Sequence, residues 1–221
     1  MLAAYWGLQS TRRKILGTKV DEEIWKQRSV AHLQENLVNV SLPHRAWLVD
    51  KILANLEITA VLEIGCGCGA ILEVIANRAP SLRLVGVDIS PASIAVGNQR
   101  FTELGLSSIT LIEGQADDLR DFPNASIDVV FMDAVLLYIG PDKIQACIEE
   151  MRRVAKRSII LLEMHLDGIG FDGTYNRDGW IRDYRVLFKE FGCDVTLVRM
   201  PPDLRPAGRW PTYGSYIEVK L

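Results

Sequence analysis

The spacing of hydrophobic positions changes near residue 59, and this change divides the chain into two parts. Before that point, apolar residues recur at the intervals of amphipathic helices. Asp21 stands where a helix cap is expected, which predicts a helix over 21–36, and a proline opens a second predicted helix over 43–56. The pattern therefore predicts a helical segment over 1–57 and a separate domain over 58–221.

Short apolar runs alternate with helical stretches throughout the second part. The predicted strands are 60–64, 83–88, 109–113, 127–132, 158–164, 193–199 and 214–221. The predicted helices are 69–78, 91–104, 141–155 and 179–191. Most strands are followed by a helix, and the chain closes with strand, loop and strand. This order predicts an α/β fold with a mostly parallel seven-stranded sheet and an antiparallel last strand.

Composition and charge limit the classes of partner. The chain has 221 residues, 48% of them hydrophobic and 24% charged, which is ordinary for a globular protein. Its formal net charge of −3 gives no strong attraction to nucleic acid. No apolar run reaches the roughly 18 residues that a membrane helix needs. Cys66 and Cys68 have no second Cys or His pair nearby, so we expect no metal site, and the cysteine spacing favours a cytoplasmic protein.

The stretch 61–76 holds the clearest candidate for a ligand site. An apolar strand leads into Gly65, Gly67 and Gly69, and a helix follows at once. Glycines let a ligand approach the backbone, and the start of a helix offers free N–H groups. The spacing of Gly65, Gly67 and Ala70 also satisfies the G-x-G-x-x-A pattern of dinucleotide sites, so the turn alone leaves two cofactor classes open.

The segment from Glu63 to Gly69, Glu-Ile-Gly-Cys-Gly-Cys-Gly, resembles the E/D-x-G-x-G-x-G motif of class I S-adenosylmethionine-dependent methyltransferases. Its carboxylate would repel a pyrophosphate but attract an ammonium or a sulfonium, which favours S-adenosylmethionine over a dinucleotide. The resemblance implies a Rossmann-like sheet with an N-terminal helical lid, and implies that Glu63, Gly65, Cys66, Gly67 and Gly69 hold the cofactor.

A second matching segment ends the second predicted strand. Residues 84–91 read Leu-Val-Gly-Val-Asp-Ile-Ser-Pro, which resembles the family's second motif. Asp88 is there expected to accept both ribose hydroxyls, and Ile89 lies beside it. The same carboxylate would serve a nicotinamide dinucleotide, or would cap the following helix, so Asp88 alone does not identify the cofactor.

A third segment, 113–119, resembles the loop of the family that contacts adenine. Gln115 stands where the family usually has Asp, which is a departure from its pattern. The amide oxygen of Gln115 is expected to accept from the adenine amino group, and the N–H of Ala116 to reach a ring nitrogen. In a shifted register, Asp117 or Asp118 would take the role of Gln115.

The fourth predicted strand and its following segment, 126–139, resemble the place where substrate meets cofactor. Asp133 is therefore a candidate for both cofactor contact and catalysis, or a turn cap. His165 ends the fifth strand and is the best histidine candidate for a base; alternatively it is a loop histidine bonded to backbone. Glu163 is a further carboxylate candidate. His32 and His44 lie in the N-terminal helices, where either could face substrate.

The sequence thus predicts methyl transfer from S-adenosylmethionine to an oxygen or nitrogen atom of a small molecule. Signatures of amino-methylating and cytosine-5 enzymes are missing, and the Asn expected of a metal-dependent catechol-type enzyme is absent from 166–168. The acceptor is expected to contact the N-terminal helices and the loops 165–178 and 201–213. A nicotinamide-dependent oxidoreductase and a non-catalytic binding protein are the alternatives, and a homodimer is compatible with the sequence.

Overall fold

The computed structural model describes residues 17–27, 42–54, 57–176 and 179–221. The strands are β1 (Ala60–Ile64), β2 (Arg83–Asp88), β3 (Ile109–Glu113), β4 (Ile127–Asp133), β5 (Ala155–Met164), β6 (Thr174–Asn176), β7 (Gly179–Ile181), β8 (Val195–Arg199) and β9 (Gly214–Lys220). The helices are α1 (Lys19–Lys26), α2 (Pro43–Leu53), α3 (Ala70–Arg78), α4 (Pro91–Leu104), α5 (Ile144–Val154), α6 (Tyr184–Lys189) and α7 (Trp210–Tyr213). Short 3₁₀ turns occupy Leu136–Tyr138 and Pro202–Leu204.

The main sheet has seven strands among the described residues, in the order β3-β2-β1-β4-β5-β9-β8. The pairs from β3 through β5 are parallel, whereas β9 runs antiparallel to both β5 and β8. This confirms the predicted fold class and the antiparallel last strand. The strand order reverses direction between β1 and β4, and open α/β sheets bind ligands at the carboxyl ends of strands beside such a point.

Apolar layers cover both faces of the sheet. One layer includes Leu48 of α2 and Leu72 of α3, and the other includes Ile148 of α5 and Phe188 of α6; all four side chains are buried. Every residue of β1 is buried as well, as expected for a central parallel strand. This two-sided burial holds the carboxyl ends of β1, β2 and β4 at a fixed edge.

The N-terminal segment differs from its prediction at the first helix. Helix α1 begins at Lys19 with Thr18 at the capping position, so Asp21 is not the cap. Asp21 lies instead in the first turn, where it is 3% exposed. A carboxylate there still suits the positive end of the helix dipole. The predicted continuation to residue 36 lies outside the described residues.

The predicted helix over 179–191 is wrong in its first part. Gly179 has φ +142°, and a Cβ there would lie 2.5 Å from the carbonyl oxygen of Leu137, so this position is extended and tightly packed. The first three residues form β7, which makes a two-stranded hairpin with β6, a strand inside the predicted loop 165–178. Asp183 then caps the shorter helix α6 by accepting from the N–H groups of Arg185 and Val186.

Candidate active site

A cavity of about 820 Å³ lies at the carboxyl edge of the sheet. Residues at the ends of β1, β2 and β4 line it, together with parts of α1, α2, the segment 114–117 and the loop 203–207. Its volume is near the upper end of the roughly 300–1,000 Å³ that ligand pockets commonly have. The cavity therefore has room for more than one small ligand.

The glycine turn after β1 forms one wall of this cavity. Gly65 has φ +73°, and a Cβ there would lie 2.4 Å from Cγ2 of Val135. Gly67 has φ +53° but nothing within 4 Å of an added Cβ, so its missing side chain leaves open space. Both glycines and Cys66 line the cavity. Gly69 does not: a Cβ there would meet Phe101 at 2.8 Å, so Gly69 permits packing at the start of α3.

Glu63 places a carboxyl group against the cavity with an unsatisfied oxygen. The residue is 3% exposed, and its Oε2 has no hydrogen-bond partner. Burial, and then the nearby charge of Asp133, raise the pKa of Glu63 well above its usual value, while Arg45 opposes that rise. Burial of a carboxyl group with an unused acceptor oxygen costs less free energy once a cation or a hydrogen-bond donor contacts that oxygen. Glu63 therefore fits a positively charged ligand group.

Asp88 closes the far side of the glycine turn. Its Oδ2 accepts from the N–H of Gly67 at 2.7 Å, and its Oδ1 accepts from the N–H of Ser90 at 2.9 Å. Asp88 and Ile89 both line the cavity. A carboxylate oxygen can accept more than one hydrogen bond, so Asp88 can hold the turn and also accept from ligand hydroxyls.

The predicted adenine segment meets α1 through one lysine. Lys143 Nζ lies 2.6 Å from Glu22, 3.0 Å from Asp117 and 3.1 Å from Oε1 of Gln115. Gln115, Ala116 and Asp117 line the cavity. Asp118 does not line it, because its carboxylate turns outward and pairs with Arg120. In the alternative register, Asp117 can therefore take the role of Gln115, but Asp118 cannot.

Asp133 ends β4 among three cationic or ionisable side chains. Its Oδ1 accepts from Nη1 of Arg205 at 3.0 Å, and its Oδ2 lies 3.6 Å from Nε2 of His44. Burial opposes ionisation of Asp133, but the hydrogen bond with His44 and the charges of Arg205, His44 and Arg45 outweigh it, so the pKa is lowered. Asp133 is therefore ionised near neutral pH and lies within the cavity as predicted.

The structure does not bring His165 to the cavity, which contradicts its predicted role as a base. The residue is fully buried and is not among those that line the cavity. Its Nδ1 accepts from the N–H of Tyr184 at 3.2 Å, which leaves Nε2 to donate to Asp167 at 2.9 Å. With both ring nitrogens engaged, His165 cannot take a proton from a substrate here. The alternative of a loop histidine bonded to backbone describes it better.

His165, Asp167 and Asp183 are the group of potential metal ligands found among the described residues. Asp183 is already engaged as the cap of α6, and the Arg185 guanidinium pairs with Asp167. The Arg185 guanidinium would compete with a metal ion for the Asp167 carboxylate. We therefore assign no metal to this group.

Two buried ionisable side chains, Glu163 and Arg182, lie under the turn that follows β4. Glu163 accepts from the N–H groups of Val135 and Leu136, both at 2.7 Å, and Arg182 donates to the carbonyls of Leu136 and Ile139. Both side chains are fully buried. Burial raises the pKa of Glu163 to about 7. Glu163 does not line the cavity and acts on it only through this turn.

Sequence reasoning missed three basic side chains that line the cavity. Arg45, Lys143 and Arg205 come from α2, the start of α5 and the loop after β8. No motif surrounds any of them, and isolated basic residues are ordinary on a protein surface. The expectation that 201–213 contacts the acceptor was the one signal that pointed toward Arg205. His32, an alternative base, lies outside the described residues.

Sequence comparison gives a family match to the central part of the chain. A family model described as a methyltransferase domain matches residues 61–158. The chain is 37% identical over 159 residues to the aklanonic acid methyltransferase DauC of Streptomyces sp. (strain C5), a match that covers 72% of this chain and 67% of that protein. It is 29% identical over 104 residues to the ribosomal RNA small subunit methyltransferase H of Coprothermobacter proteolyticus, covering 47% of this chain and 34% of that protein.

Other curated relatives are matched over a quarter to a half of their length, from 27% to 51%. Among solved structures, a geranyl diphosphate methyltransferase in complex with S-adenosylmethionine superposes with a TM-score of 0.63 over 86% of this chain and 88% of that chain. Its sequence identity of 15% makes this a likeness of fold.

Proposed function

The chain belongs to the class I S-adenosylmethionine-dependent methyltransferases, and from that membership we propose that it methylates an oxygen or nitrogen atom of a small-molecule acceptor. When bound, S-adenosylmethionine supplies a sulfonium methyl group: the acceptor lone pair forms the new bond to carbon, and the electron pair of the broken bond stays on sulfur. The protein's part in such a displacement is to hold, orient and desolvate the two partners.

The observation that carries this proposal is the unsatisfied carboxyl of Glu63 beside open space at Gly67. Glu63 is proposed to accept from the ammonium of the cofactor, which would offset the cost of burying its charge. Arg45 lies close enough to act on both Glu63 and Asp133 through its charge, and is proposed to face the cofactor carboxylate. Gly65, Cys66 and Gly67 supply the backbone wall, with Gly69 supporting it from behind.

The nucleoside end is proposed to lie along β2 and the segment after β3. Asp88 accepts from the ribose hydroxyls beside Ile89, while the N–H of Ala116 contacts the adenine ring. Gln115 can accept from the adenine amino group only if Lys143 gives up its 3.1 Å contact with Oε1. Asp117 is the alternative acceptor, because it lines the same end of the cavity.

Residues 1–57 are proposed to form a lid over this site. The described part of α1 docks on the segment after β4, where the N–H of Thr18 donates to Asp142 at 3.1 Å and Trp25 meets Tyr138 edge-on with ring centroids 4.8 Å apart. His44 reaches Asp133 from α2. These contacts hold parts of α1 and α2 against the cavity, which supports exclusion of water from the reacting groups.

A small acceptor is favoured by the enclosed cavity and by the relative named for aklanonic acid. The ribosomal RNA methyltransferase relative is the contrary indication, but the chain's net charge of −3 does not favour a polyanion. Within the described residues, no helix has the length and apolar character required to cross a bilayer. The cytoplasmic location and the possible homodimer stay predictions.

The two alternatives make different demands on the same cavity. A nicotinamide dinucleotide would bring a pyrophosphate against the carboxyl group of Glu63. The family to which the chain belongs uses S-adenosylmethionine instead. A non-catalytic protein would bind the cofactor without an acceptor. The solved [4+2]-cyclase SpnF superposes with a TM-score of 0.62 at 16% identity, so the fold by itself does not specify methyl transfer.

Isothermal titration with S-adenosylmethionine, followed by transfer from methyl-labelled cofactor to a metabolite panel, tests the proposal. We expect saturable binding that weakens at least tenfold in Glu63→Gln, since one charge-assisted contact is lost. Glu103→Gln, on the exposed side of α4, is the matched control and should bind normally. No binding at millimolar cofactor would refute the function, and binding without transfer to any acceptor would favour the non-catalytic alternative.

A further inference from the structure

We infer that the acceptor is a small carboxylic acid whose carboxylate binds the free edge of the Arg205 guanidinium, and that Asp133 is a positioning residue for Arg205 and not a base. This inference rests on the proposed function and names the substrate class of the same cavity.

Arg205 is held as a one-sided clamp. Its Nη1 donates to Asp133 at 3.0 Å, and its guanidinium carbon lies 3.8 Å from the centroid of the Trp210 ring. Stacking on the ring fixes the guanidinium plane, and the ion pair fixes its rotation within that plane. Among the described residues the edge formed by Nε and Nη2 meets no hydrogen-bond acceptor. Two parallel N–H donors at the spacing of a carboxylate are thus left in a cavity wall.

The charge near Asp133 has the sign that an anion requires. Arg45, Arg205 and His44 surround Asp133, and the nearby Glu63 resists ionisation. With Glu63 paired to the cofactor ammonium and Arg45 facing the cofactor carboxylate, the charges of Asp133 and Arg205 balance each other. The sulfonium adds a further positive charge. Buried charges are stable when paired, so an anionic acceptor completes this end of the cavity.

The other carboxylates that line the cavity are engaged or screened. Glu22 and Asp117 share Lys143, and Asp88 accepts from the backbone of the glycine turn. Asp21 lies in α1, on the lid side. Asp203 is an exposed residue, so water weakens its effect on Arg205.

A carboxylic acid acceptor would also make a poised base unnecessary. A carboxylate has already lost its proton near neutral pH, so methylating it requires no proton acceptor. Asp133 is a weak base, because the surrounding cations lower its pKa and one oxygen is committed to Arg205. Of the two histidine candidates among the described residues, His165 is buried away from the cavity, whereas His44 lines it beside Oδ2 of Asp133.

The chain neighbours of these polar groups are apolar. Leu42 precedes His44 by two positions, and Leu204 and Pro206 flank Arg205; all three line the cavity. An acceptor that fits would therefore carry an apolar body beside its carboxylate. A neutral molecule fits least well, because it would leave the Arg205 edge unpaired. A small, highly polar polyacid would pair with that edge but would not match the apolar neighbours.

The test is calorimetric titration of acid and amide pairs into the complex with S-adenosylhomocysteine. Benzoate, trans-cinnamate and anthraquinone-2-carboxylate are each compared with the primary amide of the same shape. We expect at least one acid to bind at least tenfold more tightly than its amide. Arg205→Gln should remove that preference, and Arg205→Lys should restore part of it, because charge returns without the two-pronged geometry.

Arg209→Gln is the matched control, since Arg209 is an exposed residue of the same loop that does not line the cavity. It should keep the acid preference. Equal binding of acids and amides, or no acid binding, with S-adenosylhomocysteine affinity intact, would overturn the inference and leave the proposed function standing. Failure of S-adenosylhomocysteine to bind would instead count against the proposed function.

Asp133→Asn separates positioning from base catalysis once an acid is methylated. A positioning role predicts that KM for the acid rises at least fivefold while kcat falls less than tenfold. A base would lose at least a hundredfold in kcat. The latter result would overturn the assignment of Asp133.

Discussion

At the proposed cofactor end of the cavity, most of the groups come from one stretch, 63–117, and many belong to the backbone; Arg45 of α2 is the exception. At the acceptor end they are side chains from α2, from the end of β4 and from the loop after β8: His44, Asp133 and Arg205. The first end is set by local geometry, because left-handed glycines fix the turn wherever it occurs. The second end exists only after distant segments have packed together. The two ends should therefore respond differently to substitution and to pH.

Arg182→Met should produce the largest effect, because Arg182 is a fully buried cation that holds the turn between the end of β4 and α5. The substitution removes the fully buried donors to the carbonyls of Leu136 and Ile139. We expect a loss of about 3–5 kcal/mol in the free energy of unfolding by urea. Arg185 is half exposed, so Arg185→Met should lower the free energy of unfolding by less than about 1 kcal/mol. Equal losses would contradict the structural role assigned to the buried Arg182.

The pH dependence of stability should reveal Glu163. Its pKa is about 7 in the folded protein against an ordinary 4.5, so folding favours the protonated form. The stabilisation is complete below about pH 4.5 and is lost as the pH rises through about 7, by at most about 3 kcal/mol. Urea unfolding between pH 4.5 and 8 should show this loss for the wild type relative to Glu163→Gln. Parallel curves for the two proteins would contradict the assignment.

Two glycine substitutions isolate the backbone character of the cofactor end. Gly67 and Gly105 both have positive φ and open space for a Cβ, but only Gly67 lines the cavity. Changing either to Ala should cost about 1–2 kcal/mol of stability. Only Gly67→Ala should weaken S-adenosylmethionine, by about ten- to hundredfold, since a methyl group enters the cofactor space. Calorimetry and urea unfolding of both variants check this, and equal affinities would place the cofactor elsewhere.

Asp88→Ala should give a smaller loss at the same end, about tenfold in affinity for S-adenosylhomocysteine. Asp88 also accepts from Gly67 and Ser90, so part of any loss could come from a disturbed turn. The 2′,3′-dideoxy analogue separates the two causes. If Asp88 holds the ribose, the substitution should barely change the affinity of the analogue. A tenfold loss for both ligands would assign Asp88 to the turn alone.

The same difference explains what could be predicted from the sequence. The strands β2 and β3 match their predicted bounds, and Glu63, Gly67 and Asp88 lie together, because each sits a fixed number of residues from a strand end. The predicted role of His165 as a base was wrong, because a position at the end of a strand does not reveal toward which face of the sheet the side chain points. Arg205 was not identified because its role depends on Trp210 and Asp133, which reach it only through tertiary packing.

A crystal structure of the complex with S-adenosylhomocysteine tests the division of the cavity most directly. The ammonium should lie within hydrogen-bonding distance of Glu63, the ribose hydroxyls should meet Asp88, and the sulfur should face the space between Asp133 and Arg205. A nucleoside lying against Arg205, or a sulfur directed away from Asp133, would contradict the account.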